Sequence, residues 1–362
     1  MMKVVLRTDA SLEIGAGHVY RCLTLADTLR SQGAECHFIC REHPGSLLAF
    51  IRQRGYPAYS LDLPVADEAV AGALTHAHWL GVSQEQDALD CAPLLHRLRP
   101  DWLVVDHYGL DACWESALRA HYNRLLVIDD LADRAHQCDM LLDQNLGRTA
   151  QAYLGQVPDR CTVLAGPQFA LLRPEFAQLR GYSLQRRERL GSVQQILVSM
   201  GGVDRPNATA AILRTLSDCS LPEGCQVKVV LGATAPWVDQ VRALLQELPF
   251  TAELLVNVSD MARLMADSDL AVGAAGGSSW ERCCLGLPTL LATLADNQLS
   301  GARALDQAGA ARWVGGAVDI PQKLSPAFAD VSAALASYSQ GAAAICDGVG
   351  AERVAAYMLE PA

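Results

Sequence analysis

A strand that runs into a glycine turn and then straight into a helix is the strongest constraint in this chain. Lys3-Val4-Val5-Leu6-Arg7-Thr8-Asp9 reads as a strand, Gly15-Ala16-Gly17-His18 as the turn, and Val19 to Ser31 as the helix. Glycines at such a turn let backbone N–H groups of a helix start approach a phosphate or oxyanion. A dinucleotide fingerprint would place a third glycine at position 20, where Tyr20 stands, and the Gly-Lys-Ser/Thr of a P-loop is absent. An imidazole, His18, instead occupies the point where a leaving phosphate would lie, and imidazole suits proton transfer at neutral pH. The alternative is that His18 only caps or packs the first turn of the helix.

The same unit repeats along the chain. Continuous Val, Leu and Ile runs predict strands at 3–8, 36–40, 102–106, 124–128, 139–142 and 162–165, with helices at 18–32, 45–54, 84–98 and 111–122. Residues 175–192 are charged and carry no strand signal, which puts a domain boundary there. The alternation restarts at Gln194. Strands are expected near 194–200, 226–231, 252–256, 269–272 and 288–292, and helices near 207–217, 236–247, 259–267, 278–286 and 297–309. At 362 residues two cores are expected. The order predicts an α/β protein of two doubly wound, Rossmann-like domains facing across a cleft. The boundaries are 1–178 for the first domain, 179–192 for a linker and 193–325 for the second domain. An alanine-rich helical segment, 326–362, would pack across the domain boundary.

Charge narrows the ligand class. A formal net charge of -11 argues against nucleic acid, whose phosphates require many Lys and Arg contacts. A small anion held by backbone donors and a few placed arginines is compatible with it. The 12 cysteines include no C-x-x-C and mostly sit in apolar runs, which fits buried reduced thiols of a cytoplasmic protein. The start is a strand and not a signal peptide, and no run approaches the roughly 18–20 apolar residues of a membrane span. His76-x-His78 lies in a polar insert without further ligands, so no metal site is expected.

In open α/β sheets ligands bind beyond the carboxyl ends of the strands. Those ends are polar here: Arg7-Thr8-Asp9, Asp106-His107-Tyr108-Gly109, Asp129-Asp130 followed by Arg134 and His136, and Asp143-Gln144-Asn145. In the second half, Ser199-Met200-Gly201-Gly202-Val203-Asp204 repeats the strand-then-glycine order. Gly273-Ala274-Ala275-Gly276-Gly277-Ser278-Ser279-Trp280-Glu281 reads as a phosphate-binding helix start. Glu281, one turn in, could accept hydrogen bonds from a ribose diol, or could form a capping box with Ser278. Leu294-Ala295-Asp296-Asn297-Gln298 opens a further helix toward the same cleft, with Asp296 as an ordinary N-cap in the plainer reading.

Together these blocks resemble the nucleotide-sugar hydrolase family of pseudaminic acid biosynthesis. The resemblance rests on Arg7-Thr8-Asp9-Ala10-Ser11 with Ile14-Gly15-Ala16-Gly17-His18, on Asp106-His107-Tyr108-Gly109 and on His136-x-Cys138-Asp139. It continues through Gly166 with Phe169-Ala170-Leu171-Leu172-Arg173-Pro174-Glu175-Phe176, Ser199-Met200-Gly201-Gly202-x-Asp204 and Asn297-Gln298. It spans roughly residues 2–310. The family is similar to the lipid-linked N-acetylglucosaminyltransferase of peptidoglycan synthesis, which implies a GT-B-like fold; Gly276-Gly277-Ser278-Ser279-x-Glu281 is the block shared with that wider group.

The resemblance implies hydrolysis of UDP-2,4-diacetamido-2,4,6-trideoxy-β-L-altropyranose to the free sugar and UDP. His18 would be the base, water would attack the anomeric carbon with inversion, and no metal or other cofactor would be needed. The first domain would then be the sugar and catalytic domain and the second the UDP-binding domain. Arg173, Glu281 and Asn297 would contact substrate, and Val258 would offer its backbone to uracil. Gly15, Gly17, Gly201, Gly202, Gly277, Ser278, Ser279 and Gln298 complete the expected binding set, and Asp9 and Tyr108 are the candidates to orient His18 or the water. The tail beyond about 310 and the bulky Trp280 depart from the family pattern. Two other readings share these motifs: a GT-B glycosyltransferase using a UDP-sugar donor, and a non-catalytic nucleotide-sugar binding protein.

Overall fold

The computed structural model describes residues 1–64 and 74–360. The chain forms two compact units, Met1–Leu171 with Gly350–Ala362, and Leu172–Val349.

In the first unit seven strands form one parallel sheet: β1 (Lys3–Thr8), β2 (Glu35–Arg41), β3 (Ala58–Leu61), β4 (Trp102–Asp106), β5 (Arg124–Ile128), β6 (Met140–Asp143) and β7 (Thr162–Ala165). They are connected in part by α1 (Gly17–Ser31), α2 (Leu48–Gln53), α3 (Gln84–Leu98) and α4 (Ala112–Ala117). The spatial order β3-β2-β1-β4-β5-β6-β7 reverses between β1 and β4, which makes the space beyond their carboxyl ends the switch point of the sheet. Side chains alternate between faces along each strand. Val4, Leu6 and Val104 pack with Val19, Cys22 and Leu25 of α1, whereas Val5, Leu103 and Val105 pack with Cys91 and Leu95 of α3. Both faces are covered, which is why the strands read as continuous apolar runs.

The second unit opens with α5 (Pro174–Glu188) and holds a second parallel sheet. Its strands are β8 (Gln195–Ser199), β9 (Gln226–Leu231), β10 (Thr251–Val256), β11 (Leu270–Ala274), β12 (Thr289–Thr293) and β13 (Arg312–Gly316). The order β10-β9-β8-β11-β12-β13 places the reversal between β8 and β11. The helices are α6 (Ala208–Ser217), α7 (Val238–Leu245), α8 (Met261–Asp267), α9 (Ser278–Cys284), α10 (Leu299–Gln307), α11 (Ile320–Ala333) and α12 (Leu335–Ile345).

Three features differ from the sequence expectation. The edge strands β3 (Ala58-Tyr59-Ser60-Leu61) and β13 (Arg312-Trp313-Val314-Gly315-Gly316) were not expected, because neither carries a continuous apolar run, unlike the edge strands β7 and β10. The charged stretch 179–192 is helix α5 over much of its length; its Arg187 is 4% exposed and donates to the carbonyls of Met265, Ser268 and Leu285. The C-terminal helical segment is divided among α11, α12 and α13 (Gly350–Leu359), and α13 belongs to the first unit. There Val354, Ala355 and Met358 enter the α1-side core, and Trp102 Nε1 donates to the Met358 carbonyl at 3.0 Å. Among the described residues no helix is long and apolar enough to cross a membrane.

Candidate active site and nucleotide site

The turn into α1 is closed by its own backbone. Gly15 N donates to the Ser11 carbonyl at 2.9 Å, and Gly15 sits at φ +78°, where a side chain would be strained. The helix then begins at Gly17 with no side-chain cap, so His18 enters the first turn without capping it. His18 is 8% exposed and its Nδ1 lies 2.6 Å from Asp106 Oδ1. Arg21, one turn further along the same face of α1, donates through Nε and Nη2 to the two oxygens of Asp106, both at 2.6 Å. Its Nη1 donates to Asp130 Oδ2 at 2.6 Å, and the same oxygen accepts the Tyr108 hydroxyl at 2.7 Å. The Tyr108 ring stands edge-on to His18 at 4.7 Å, and Trp79 stacks on Tyr108 at 5.6 Å.

Charge is fixed by this arrangement. Burial works against an ionised Asp106, but the guanidinium of Arg21 and then the imidazole of His18 outweigh it and hold the carboxyl well below the usual carboxylate range. Burial pushes the Tyr108 hydroxyl upward, and the neighbouring Asp130 charge adds to it, so Tyr108 is a neutral donor. An ionised carboxylate can only accept, so the neutral tautomer of His18 that fits this contact carries its proton on Nδ1 and turns Nε2 into an acceptor.

Asp9 does not serve His18. Its Oδ1 is bonded by Arg7 Nη1 at 2.6 Å and by the Arg41 backbone N–H at 2.7 Å. Arg7 and Arg41 in turn share Asp87 of α3, at 2.7 and 2.8 Å. The reason lies in the register: Thr8 pairs with Asp106, so Asp9 falls one residue out of phase and takes the α3 face while Asp106 takes the α1 face. Asp106 and Arg21 are therefore the residues that sequence reasoning passed over. The His18-x-x-Arg21 spacing was a signal for Arg21, whereas Asp106 could be told from Asp9 only by the register of β1 against β4. The other polar strand ends are structural: Asp129 pairs with Arg134 at 2.8 Å, His136 with Glu115 at 2.7 Å, and Asp143 accepts from Tyr153 at 2.9 Å.

In the second unit the ends of β8 and β11 carry the glycine turns. Gly201 has φ +90°, and a Cβ on Gly232 would run into the carbonyl of Gly202. Beyond β11 the helix α9 is capped by Gly277 with no side-chain cap bond, so the capping box between Ser278 and Glu281 does not form. Ser279 Oγ accepts from Gly276 N at 3.3 Å, and Arg282 donates to both serine hydroxyls at 3.1 Å. The Glu281 carboxylate has no hydrogen bond among the described residues. Burial pushes its pKa upward, against the pull of Arg173. Arg173 pairs with Glu175 at 2.9 Å and lies over the Phe176 ring at 5.3 Å. Val258 follows Asn257, which has φ +57°, in the turn after β10. Asn297 is exposed, whereas Gln298 accepts from Leu294 N at 2.8 Å and so closes its own turn; Asp296 does not cap it. The expected residues thus fall into two sets, one at the switch point of each sheet. The first holds Gly15, Gly17, His18 and Tyr108; the second gathers Gly201, Gly202, Gly277, Ser278, Ser279 and Glu281, with Arg173 beside Glu281.

No protein-family profile matches the chain. It is 24% identical over 295 residues to an uncharacterized protein of Methanocaldococcus jannaschii, a match that takes in 80% of this chain and 55% of that one. It is 26% identical over 268 residues to the UDP-2,4-diacetamido-2,4,6-trideoxy-beta-L-altropyranose hydrolase of Campylobacter jejuni, covering 74% of this chain and 83% of that one. Among solved structures, Acinetobacter baumannii MurG superposes with a TM-score of 0.70 at 16% identity, over 99% of both chains. The spinosyn rhamnosyltransferase SpnG gives 0.63 at 16% identity, over 99% of this chain and 100% of that one. The chain is thus a distant relative of the Campylobacter UDP-sugar hydrolase, and its two parallel sheets are those of the GT-B fold.

Proposed function

We propose that the protein hydrolyses UDP-2,4-diacetamido-2,4,6-trideoxy-β-L-altropyranose to the free sugar and UDP, as a cytoplasmic step of pseudaminic acid biosynthesis. The observation that carries the reading is the His18–Asp106 contact, which leaves Nε2 of His18 as a base beside a glycine turn. In the proposed step Nε2 takes a proton from water while the water oxygen attacks the anomeric carbon. The bond from that carbon to the diphosphate oxygen breaks, and UDP leaves with the electron pair. The carbon is inverted by this single displacement. Asp106 steadies the imidazolium that forms and keeps its own charge throughout. Tyr108 acts as a neutral hydrogen-bond donor and as one wall of the water site.

Recognition of UDP is assigned to the second unit. Backbone N–H groups at Gly201, Gly202 and Gly277, with the hydroxyls of Ser278 and Ser279, are the donors for the diphosphate. Glu281, whose carboxylate is not engaged among the described residues, accepts from the ribose diol. Arg173, Asn297 and the backbone of Val258 complete the contacts that the family resemblance implies. The experiment is time-resolved proton NMR of the protein with the UDP-linked sugar and no acceptor. UDP and free sugar, with the first-formed anomer inverted, support the proposal. A donor consumed only after an acceptor is added identifies a glycosyltransferase, and a donor that binds and stays intact with every acceptor identifies a binding protein.

A further inference from the structure

Arg282 is a buried cation with no carboxylate at ion-pair distance among the described residues, although its chain neighbour Glu281 acts on it at longer range. It is 2% exposed, and its hydrogen bonds go to the hydroxyls of Ser278 and Ser279 and to the Ala274 carbonyl at 2.8 Å. All three acceptors are neutral. The buried Arg7, Arg41 and Arg134 and the half-buried Arg21 are, by contrast, each paired with an aspartate. Arg187 also bonds to neutral groups, but to three backbone carbonyls at element ends, where it fastens α5. Arg282 reaches instead the two serines assigned above to the diphosphate.

The strand makes room for it. A Cβ on Gly273 would come within 2.6 Å of Arg282 Nη1, so β11 omits a side chain at the point where the guanidinium enters. Gly273 pairs with Ser199 across the sheet, so this cation lies at the junction of β8 and β11 from which both glycine turns spring. Burial draws the guanidinium down to about 10, which leaves it charged at neutral pH. With hydrogen bonds to neutral groups alone and Glu281 acting only at longer range, this buried charge is incompletely compensated within the protein. The helix α9 spans only 7 residues, so the positive field at this turn comes chiefly from Arg282 rather than from a helix dipole.

We infer that Arg282 is a positioning residue for the diphosphate: it sets the Ser278 and Ser279 hydroxyls and supplies the buried charge by which this turn selects a nucleoside diphosphate over a nucleoside. The inference rests on the UDP assignment above. In the Michaelis complex the cation lies behind the serines; as UDP departs with an added negative charge, the same cation stabilises it without moving.

The test is calorimetric binding of UDP and uridine to the full chain, as wild type, Arg282→Met and Arg282→Lys. Arg282→Met is expected to weaken UDP binding about 10- to 100-fold and uridine binding less than about 2-fold, because only the diphosphate carries charge. Arg282→Lys restores most of the UDP affinity. A readout on the wild type guards against misfolding of the variant: by phosphorus NMR, the β-phosphate of bound UDP should ionise at lower pH than that of free UDP. A folded Arg282→Met protein with an unchanged UDP-to-uridine preference overturns the inference and leaves the UDP assignment standing. So does a bound β-phosphate that titrates as it does in free UDP. Wild-type protein that binds UDP no better than uridine overturns the UDP assignment and the inference together.

Discussion

In the proposed reaction His18 acts through Nε2 because Nδ1 is committed to Asp106, and this contact makes two substitutions informative. His18→Ala removes the base and should lower turnover by about 10²- to 10⁴-fold, the usual range for a general base, while the protein folds and binds UDP as before. Near-normal turnover would remove His18 from the mechanism. Asp106→Asn keeps the shape but replaces an obligate acceptor with a group that can donate to Nδ1, which would place the imidazole proton on Nε2. Its turnover should fall by about 10²-fold or more with unchanged UDP affinity, a split that steady-state kinetics and calorimetry read together. The residue-level pattern was half legible. Gly15, Gly17, His18 and the polar strand ends stand in the sequence, and all could be read from glycine spacing and from where apolar runs stop. The choice between Asp9 and Asp106 could not, because it depends on the register of β1 against β4, which no local pattern states.

At the level of elements, Asp9 belongs to the clamp that fastens β1 and β2 to α3. Arg7, Asp9, Arg41 and Asp87 are all fully buried and bonded to one another. Removing one charge from such a set leaves its partner uncompensated, so Asp9→Asn should cost about 3–5 kcal/mol of stability, measured by denaturant unfolding. A loss of turnover with unchanged stability would instead put Asp9 in the reaction. The same clamp predicts an acid limit. Asp9, Asp87 and Asp106 are all held below their ordinary value in the fold, against burial, by arginines that outweigh it. Their stabilisation is therefore complete above about pH 4, where unfolded carboxyls are ionised, and drains away as pH falls below that. Asp143 has the opposite sign: burial raises it to about 6, so its ionisation costs stability as pH rises through that value. His107, which burial lowers to about 3, gains stability as pH rises and offsets Asp143 over that range, so thermal melts should fall steeply below about pH 4; a melting temperature unchanged down to about pH 2 would contradict these assignments. Strand signals were strongest where both faces are buried; β3 and β13 were missed because Tyr59 and Ser60 in the one, and Arg312, Gly315 and Gly316 in the other, interrupt any apolar run.

Over the whole molecule, two sheets with the same switch-point topology carry two sets of functional residues, and the C-terminal helix returns to the first. That return makes the tail part of the first core. Deleting 350–360 exposes the surfaces that Val354 and Met358 cover and removes the Trp102–Met358 hydrogen bond. The loss should be roughly 3–6 kcal/mol from the two large side chains, seen as a lowered melting temperature with the second unit still binding UDP. The two-domain α/β organisation was legible from the restart of the strand–helix alternation after the charged stretch. The alanine-rich tail was expected to cross the domain boundary, but where α13 begins and which side chains it buries were not legible, since an alanine-rich pattern shows a buried face without showing what covers it.

The account turns on attack at carbon rather than phosphorus, and isotope placement reads this directly. Turnover in ¹⁸O-labelled water, followed by phosphorus NMR of the released UDP, should give a β-phosphate free of ¹⁸O, because the bond to the anomeric carbon is the one that breaks. ¹⁸O on the UDP phosphate would show attack at phosphorus and would contradict the role given to His18.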